Sequence, residues 1–278
     1  MSNFWARTIT GLSMVFVILA TLFFTNVGFA ILFLLVTILG LLEFYTITKT
    51  EECQPQKLTG TILGTIWYLL SAWSTLWPAQ GRYYLSVVVL ISFFFVPFVT
   101  EIFRKKEKPL LNVAVTIMGM IYVAIPLSLL NFMNNSRGGT IFDHFSAYLT
   151  VYFLITWIYD TGAYLVGKNF GRHKFFERIS PKKTWEGTIG GFIVAILAAA
   201  GLYFITEGIS LTGLLVLTGL VVLFGTFGDL AESLFKRSLN LKDSGTLLPG
   251  HGGILDRFDT IFVSAPFVFL YFVFLITF

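Results

Sequence analysis

Long apolar runs without charged residues constrain this chain more than any other feature of its sequence. Runs of roughly 17 to 24 such residues can cross the hydrocarbon core of a bilayer as helices. Of the 278 residues, 56% are hydrophobic and 12% are charged. A water-soluble domain of this length could not bury so much apolar surface. The sequence therefore predicts an all-α polytopic integral membrane protein, organised as a single membrane domain over residues 1–278.

The apolar runs predict about nine transmembrane helices, so the two termini are expected on opposite sides of the membrane. We interpret the run after Arg7 as a retained first span. Residues 1–100 contain no cluster of polar residues that indicates a function, whereas residues 145–278 contain the polar clusters. The expected spans are residues 8–25, 28–48, 58–77, 83–100, 110–133, 145–166, 187–206, 211–229 and 259–277.

Lysine and arginine residues predict the orientation of these spans. Of the 19 basic residues, 17 fall on the N-terminal side, and the opposite side has only Arg82 and Arg137. By the positive-inside rule, the N-terminus and both long loops of the C-terminal half are cytoplasmic. The same distribution explains the net charge of +4 without a nucleic-acid partner.

Several common kinds of site are disfavoured by composition. Cys53 is the single cysteine, so no intrachain disulfide can form. With three histidines in the chain, a Cys/His zinc site is not expected. The sequence has no phosphate-binding P-loop and no Gly-x-Gly-x-x-Gly fingerprint.

Two polar clusters flank the predicted cytoplasmic loop 167–186. In "WIYDTGAYLVGKNFGRHK", Asp160 lies near the end of a span, where a charge is costly without a partner. We expect a substrate or metal role, with a plain interfacial ion pair as the alternative. In "ISPKKTWEGTIGG", Ser180-Pro181 is typical of a helix N-cap followed by proline. Lys182 and Lys183 would then form an anion cradle in the first helical turn, or else anchor the loop to lipid headgroups.

The third cluster is "GTFGDLAESLFKRSLNLKDSGTLLPGHGGILDRFD". If the eighth helix continues beyond the membrane, its i, i+3, i+4 and i+7 spacing brings four polar residues onto one face. Glycines just before them let another helix or a ligand come close. The four polar residues are Asp229, Glu232, Ser233 and Lys236, and the glycines are Gly225 and Gly228.

Asp256 and Asp259 stand one turn apart where the last span begins. Aspartates at a helix start are often simple caps. Together with Asp229, however, they favour a hard cation such as Mg²⁺. Acidic metal ligands beside basic residues suit a nucleoside triphosphate. The basic residues are Lys236, Arg237, Lys242 and Arg257, and His251 is either a phosphate or base contact or an ordinary loop histidine.

The run from Ser233 to Asp259, with "FKR", "KDSG" and "PGHGGILDRFD" in order, resembles the signature of the phosphatidate cytidylyltransferase (CDP-diacylglycerol synthase) family. The segments "DTGAYLVGKNFGRHK" and "SPKKTWEGTIGG" also resemble that family. The similar stretches cover roughly residues 157–191 and 225–260.

The resemblance implies that CTP and phosphatidic acid react to give CDP-diacylglycerol and pyrophosphate, with Mg²⁺ required and K⁺ as a possible second cation. It also implies a homodimer in a bacterial-type inner membrane. Asp229 and Asp256 would be metal ligands, with Asp259 as a further candidate, and Lys236 and Arg237 would act on the reacting phosphates. The expected substrate-binding residues are Asp160, Ser180, Lys182, Lys183, Lys242, Asp243, His251 and Arg257.

Two alternatives remain open on the sequence alone. The first is another CTP-using lipid enzyme, such as a CDP-archaeol synthase or a polyprenol kinase, with a similar metal site and a different acceptor. The second is an organic-anion transporter. Transporters usually have internal repeats and a site at the membrane midplane, whereas this sequence has no evident repeat and its charges gather on one side.

Overall fold

A computed structural model describes residues 3–77, 91, 95–134, 147–206, 209–245, 247 and 252–277. The chain divides into two compact units. The first comprises Met1–Phe145 with Asp243–Phe258, and the second comprises Ser146–Lys242 with Asp259–Phe278.

The first unit is built from helices. They are α1 (Asn3–Phe24), α2 (Asn26–Ile47), α3 (Lys57–Leu76), α4 (residues 95–104), α5 (Pro109–Gly119) and α6 (Ile125–Met133), with a π-helical turn at Met120–Ala124 between the last two. The Asn26-Val27-Gly28 segment, at the boundary between the expected spans 8–25 and 28–48, is already the first turn of α2. Thr25 caps it by accepting a hydrogen bond from the Gly28 N–H at 3.1 Å.

The π-helical turn allows α5 and α6 to act as one membrane-length helix, Pro109–Met133. Pro126 has no N–H to donate, and its ring crowds the carbonyl four residues earlier. The backbone widens just before this proline, and the N–H of Ile125 bonds to the carbonyl of Met120.

Buried tyrosines tie the helices of the first unit together. The Tyr45 hydroxyl donates to the Thr116 carbonyl at 2.7 Å, and the Tyr68 hydroxyl donates to the Ala30 carbonyl at 3.0 Å. The Tyr45 ring lies so close to Gly60 that a Cβ there would meet its hydroxyl oxygen at 2.2 Å. Close helix contacts through small residues are typical of membrane helix packing.

The second unit combines long helices with a short hairpin. Its elements are α7 (Ala147–Phe170), β1 (Lys174–Phe176), β2 (Ser180–Thr184), α8 (Trp185–Tyr203), α9 (Leu211–Ser238) and the main part of α10 (Leu255–Thr277). β1 and β2 pair antiparallel. Gly191 of α8 packs directly on α7, since a Cβ there would lie 2.8 Å from the Ala163 backbone nitrogen.

Six helices among the described residues are long and apolar enough to cross a membrane. They are Asn26–Ile47, Pro109–Met133, Tyr148–Phe170, Trp185–Tyr203, Leu211–Ser238 and Leu255–Phe274. The predicted all-α polytopic membrane fold is confirmed, with the hairpin as an addition. The count of nine is not confirmed. Most of the expected span 83–100 lies outside the described residues, and the apolar part of α1, Thr10–Phe24, is shorter.

Candidate functional site

The cytoplasmic end predicted for α9 contains the acidic and basic face expected from sequence. The helix has 28 residues and is therefore about 42 Å long, which exceeds the hydrocarbon core of about 30 Å. Along its last turns, the Ser233 hydroxyl lies 3.3 Å from Asp229 Oδ1. Lys236 Nζ lies 2.5 Å from Glu232 Oε2. The predicted continuation of this helix and its shared polar face are both confirmed.

Lys183 links the hairpin to this face. Its Nζ lies 2.6 Å from Asp229 Oδ2, and both side chains are partly exposed, at 25% and 35%. A partly exposed ion pair of this kind contributes little to the free energy of folding. Its main effect is to bring a cation and a carboxylate from different elements to one point.

The local structure around Lys183 differs from the sequence prediction. Ser180 does not cap a helix; it pairs with Phe176 in the hairpin, and Lys182 and Lys183 lie on strand β2. The predicted first-turn anion cradle is therefore wrong. The helix begins after Thr184, whose extended backbone and hydroxyl, accepting from the Gly187 N–H at 3.2 Å, make it the N-cap.

Glu186 at the start of α8 fixes the other side of the hairpin. Its carboxylate accepts from the Arg172 N–H at 3.0 Å and lies 2.5 Å from His173 Nδ1. Nearby, the Phe175 and Trp185 rings pack edge to face. These contacts hold β1 against the beginning of α8, and β1 in turn pairs with β2, the strand on which Lys183 lies.

Asp259 reaches the same part of the second unit from α10. A Cβ on Gly228 would lie 2.4 Å from the Asp259 carbonyl oxygen, so the two helices touch at this glycine. The predicted role of Gly228 in close approach is confirmed. The Asp259 carboxylate accepts from the Thr260 N–H at 2.7 Å. It also interacts electrostatically with Asp229, Glu232 and Asp160.

Three carboxylates of the second unit thus act on Asp259, and Lys183 and Lys236 are the cations paired with two of them, Asp229 and Glu232. Within the described residues, no group of three or more His, Cys, Asp or Glu side chains is arranged to hold a metal ion. Mg²⁺, however, is commonly held by one or two carboxylates, with substrate phosphates and water completing its shell. The hard oxygens of Asp229 and Asp259 therefore fit Mg²⁺ in chemistry.

Asp256 belongs to the first unit and has partners of its own. Its Oδ2 accepts from the Ser244 N–H, the Ser244 hydroxyl and the Gly253 N–H, each at 2.8 Å. Gly252 has φ +83°, and a Cβ there would lie 2.4 Å from the same oxygen. This carboxylate therefore orders the segment that leads into α10.

The sequence did not identify Glu43 as a functional candidate. Its carboxylate accepts from the Ile254 N–H at 2.9 Å and from the Leu255 N–H at 3.0 Å, and it also bonds to the Ser244 hydroxyl. A signal was present, because Glu43 is the single charged residue of α2 and an ionisable residue within a span usually has a function or a partner.

Most of the remaining predicted residues are exposed, among them Asp160, Lys242, Asp243 and Arg257. Arg237 donates to the Leu241 carbonyl at 3.1 Å. His251 lies outside the described residues. Because Asp229 and Asp256 belong to different compact units, their sharing of one metal-nucleotide site stays a prediction.

Comparison with known proteins gives a match over nearly the whole chain. The sequence pattern described as "Cytidylyltransferase family" covers residues 5–275. The match begins within α1 and ends within α10.

Curated relatives with similar sequences have a common name. A phosphatidate cytidylyltransferase of Staphylococcus aureus (strain COL) is 42% identical over 178 residues, which is 64% of this chain and 65% of the relative. That of Staphylococcus saprophyticus is 38% identical over 183 residues, covering 66% and 67%. The chain thus aligns with about 65% of the length of the first of these relatives.

Proposed function

The chain belongs to the cytidylyltransferase family, and from this premise we propose that it transfers a cytidylyl group from CTP to phosphatidic acid. The products are CDP-diacylglycerol and pyrophosphate, and the pathway served is phospholipid biosynthesis. Relatives that bear the name of this activity, at 38–42% identity, support the proposal. As an integral membrane protein, the chain also lies where a diacyl lipid acceptor is found.

The observation on which the proposal chiefly rests is the Lys183–Asp229 contact of 2.6 Å. It joins two segments, the "SPKK" strand and the acidic face of α9, that both resemble the same family. Cations and carboxylates at one point suit a triphosphate, because the carboxylates bind the counter-ion of the phosphates and the lysines bind the phosphates themselves.

The reaction requires neutralisation of negative charge rather than a strong base. The phosphate of phosphatidic acid has a second pKa of about 6, so at neutral pH it is largely dianionic and already nucleophilic. One of its oxygens forms a bond to the α-phosphorus of CTP, and the bond from that phosphorus to the bridging oxygen breaks, releasing pyrophosphate. The barrier comes mainly from bringing two anions together.

We propose Asp229 and Asp259 as ligands of Mg²⁺ in the second unit, and Asp256 as a ligand implied by the family signature. When bound, Mg²⁺ neutralises phosphate charge and polarises the α-phosphate. Lys183 and Lys236, next to Asp229 and Glu232, would hold the polyphosphate in place. Arg237, Lys242 and Arg257 are exposed basic residues that would contact the phosphates of either substrate.

We also propose the orientation, the assembly and the second cation expected from sequence. By the positive-inside rule, the N-terminus and the site would face the cytoplasm, and the membrane would be a bacterial inner membrane. CTP then reaches the site from the cytoplasm, while the lipid tails stay in the bilayer. A homodimer and a K⁺ ion remain proposals from the family resemblance.

The experiment uses detergent-purified protein with Mg²⁺ and [α-³²P]CTP, and a parallel polyprenol reaction contains [γ-³²P]CTP because a kinase transfers the γ-phosphate. Phosphatidic acid, a polyprenol and an unsaturated archaetidic acid are supplied in separate reactions, and the lipid products are separated by chromatography. We expect labelled CDP-diacylglycerol with phosphatidic acid and several-fold less product with the isoprenoid acceptors. Preferred use of an isoprenoid acceptor would overturn the substrate, and no labelled lipid with any acceptor would overturn the activity.

A further inference from the structure

Glu43 makes an unusual connection between the N-terminal helices and the segment before α10. Its Oε2 accepts from the Ile254 N–H and its Oε1 from the Leu255 N–H, at 2.9 and 3.0 Å. The partners are more than 200 residues apart in the chain, with separations of 211 and 212. All of these residues belong to the first compact unit.

The contact replaces a helix cap. The first amides of a helix have no acceptor within the helix, and they form its positive end. A neighbouring serine, threonine or aspartate usually accepts from them. At α10, the carboxylate of Glu43 from α2 takes that place, so the start of α10 is fixed by a distant element.

Two glycines provide the space for this carboxylate. A Cβ at Gly253 would lie 2.0 Å from Glu43 Oε1, and one at Gly245 would lie 3.0 Å from Oε2. Gly253 does not have a positive φ, so its backbone conformation permits other residues. The Glu43 carboxylate occupies the space that a side chain at position 253 would need, which explains why this residue is glycine.

The Asp256 carboxylate, from the first turn of α10, contacts the same segment. The Ser244 hydroxyl bonds to Glu43 Oε1 and also lies 2.8 Å from Asp256 Oδ2. The Gly253 N–H donates to Asp256 Oδ2, directly before the amides that Glu43 holds. Ser244 and the backbone of 253–255 therefore connect the two carboxylates rigidly.

We propose that Glu43 is a positioning residue for the transfer reaction, holding the turn before α10 so that Asp256 is presented in one orientation. The inference rests on the proposed function for its catalytic consequence. Its structural part, the order of the 252–256 turn, can be measured independently of CTP and metal.

The first test compares Glu43→Gln with Glu51→Gln, a change at an exposed glutamate of the first unit. An amide loses one acceptor and turns a donor towards an N–H group. We expect Glu43→Gln to lower kcat by roughly 10- to 100-fold, the effect of removing a supporting partner of a metal ligand. Glu51→Gln should keep the wild-type kcat.

Hydrogen exchange of the apo protein in detergent gives the second readout. In Glu43→Gln, the amides of Ile254 and Leu255 should exchange at least about 10-fold faster, corresponding to a loss of about 1.4 kcal/mol of local protection. Peptides from α8 should exchange as in the wild type. Wild-type kcat together with wild-type exchange at 254 and 255 would overturn the proposal.

A size-complementation test covers the case in which Glu43→Gln folds poorly. Gly253→Ala alone should lower kcat and speed exchange, because its Cβ meets the carboxylate. In a Glu43→Ala background that clash is gone, so Gly253→Ala should have little additional effect. Independent, multiplying effects of the two substitutions would contradict the proposed contact.

The outcomes separate the two proposals. If the wild-type protein makes no CDP-diacylglycerol, the proposed function fails, and hydrogen exchange still decides whether Glu43 holds the turn. If the wild-type protein is active and Glu43→Gln is fully active despite faster exchange, the positioning role fails and the proposed function stands.

Discussion

Lys182 and Lys183 are neighbours in the chain, but strand β2 gives them different surroundings. Successive strand residues point to opposite faces, so Lys183 reaches Asp229 whereas Lys182 is exposed. The sequence predicted basic residues at this point. It could not distinguish between them, because the helical prediction placed both in one turn.

Lys183→Ala should therefore impair the reaction more than Lys182→Ala. We expect the KM for CTP to rise by about 10-fold or more for Lys183→Ala, since a charge-assisted contact of roughly 1.5–3 kcal/mol is lost. For Lys182→Ala the rise should be several-fold smaller. Steady-state kinetics over a range of CTP and lipid concentrations measures both, and equal effects would contradict the assigned role of Lys183.

At the scale of elements, α9 and α10 meet through a glycine. The Gly228 contact with the Asp259 backbone allows two carboxylates, Asp229 and Asp259, to lie on touching helices. The glycine and aspartate pattern was sufficient to predict this close approach. The hairpin was not predicted, because Ser180-Pro181 is typical of an N-cap. In the structure Ser180 pairs with Phe176 instead, and Thr184 caps the helix.

Gly228→Ala should destabilise the protein, whereas Gly219→Ala in the same helix should not. A Cβ at 228 would meet backbone atoms at 2.4 Å, but one at 219 meets nothing within 4 Å. We expect a loss of about 1–3 kcal/mol for Gly228→Ala and a gain of up to about 1 kcal/mol for Gly219→Ala. Thermal unfolding in detergent compares the two, and a matching Tm for both variants would refute the close contact.

At the scale of the whole molecule, hydrophobic patterning predicted most of the architecture because each span must satisfy its backbone within itself. Hydrophobic patterning did not predict the role proposed for Glu43 of α2. Glu43 meets its partners across more than 200 residues, and nothing local to "LLEFY" indicates which distant amides it holds. Contacts of that range depend on tertiary folding, which composition and spacing do not determine.

The predicted topology can be measured by thiol labelling, because Cys53 is the single native cysteine. In a Cys53→Ser background, Gln80→Cys should react with a membrane-impermeant maleimide in intact spheroplasts. Glu177→Cys, at an exposed position of the hairpin segment, should react only after lysis. Labelling of Glu177→Cys in intact spheroplasts would reverse the orientation deduced from the 17 basic residues on one side.

The central claim is that carboxylates beside basic residues hold the cation that makes CTP reactive towards a lipid phosphate. The most direct measurement is pyrophosphate release from CTP and phosphatidic acid, titrated with Mg²⁺, for wild type and Asp229→Asn. Glu177→Gln, at the exposed end of the hairpin, is the matched control.

We expect Asp229→Asn to lose roughly 100-fold or more in kcat, the scale on which removing one preorganised charge-stabilising group slows a reaction. It should keep a wild-type Tm, and Glu177→Gln should retain full turnover. Wild-type turnover by Asp229→Asn at the same Mg²⁺ concentration would contradict the account.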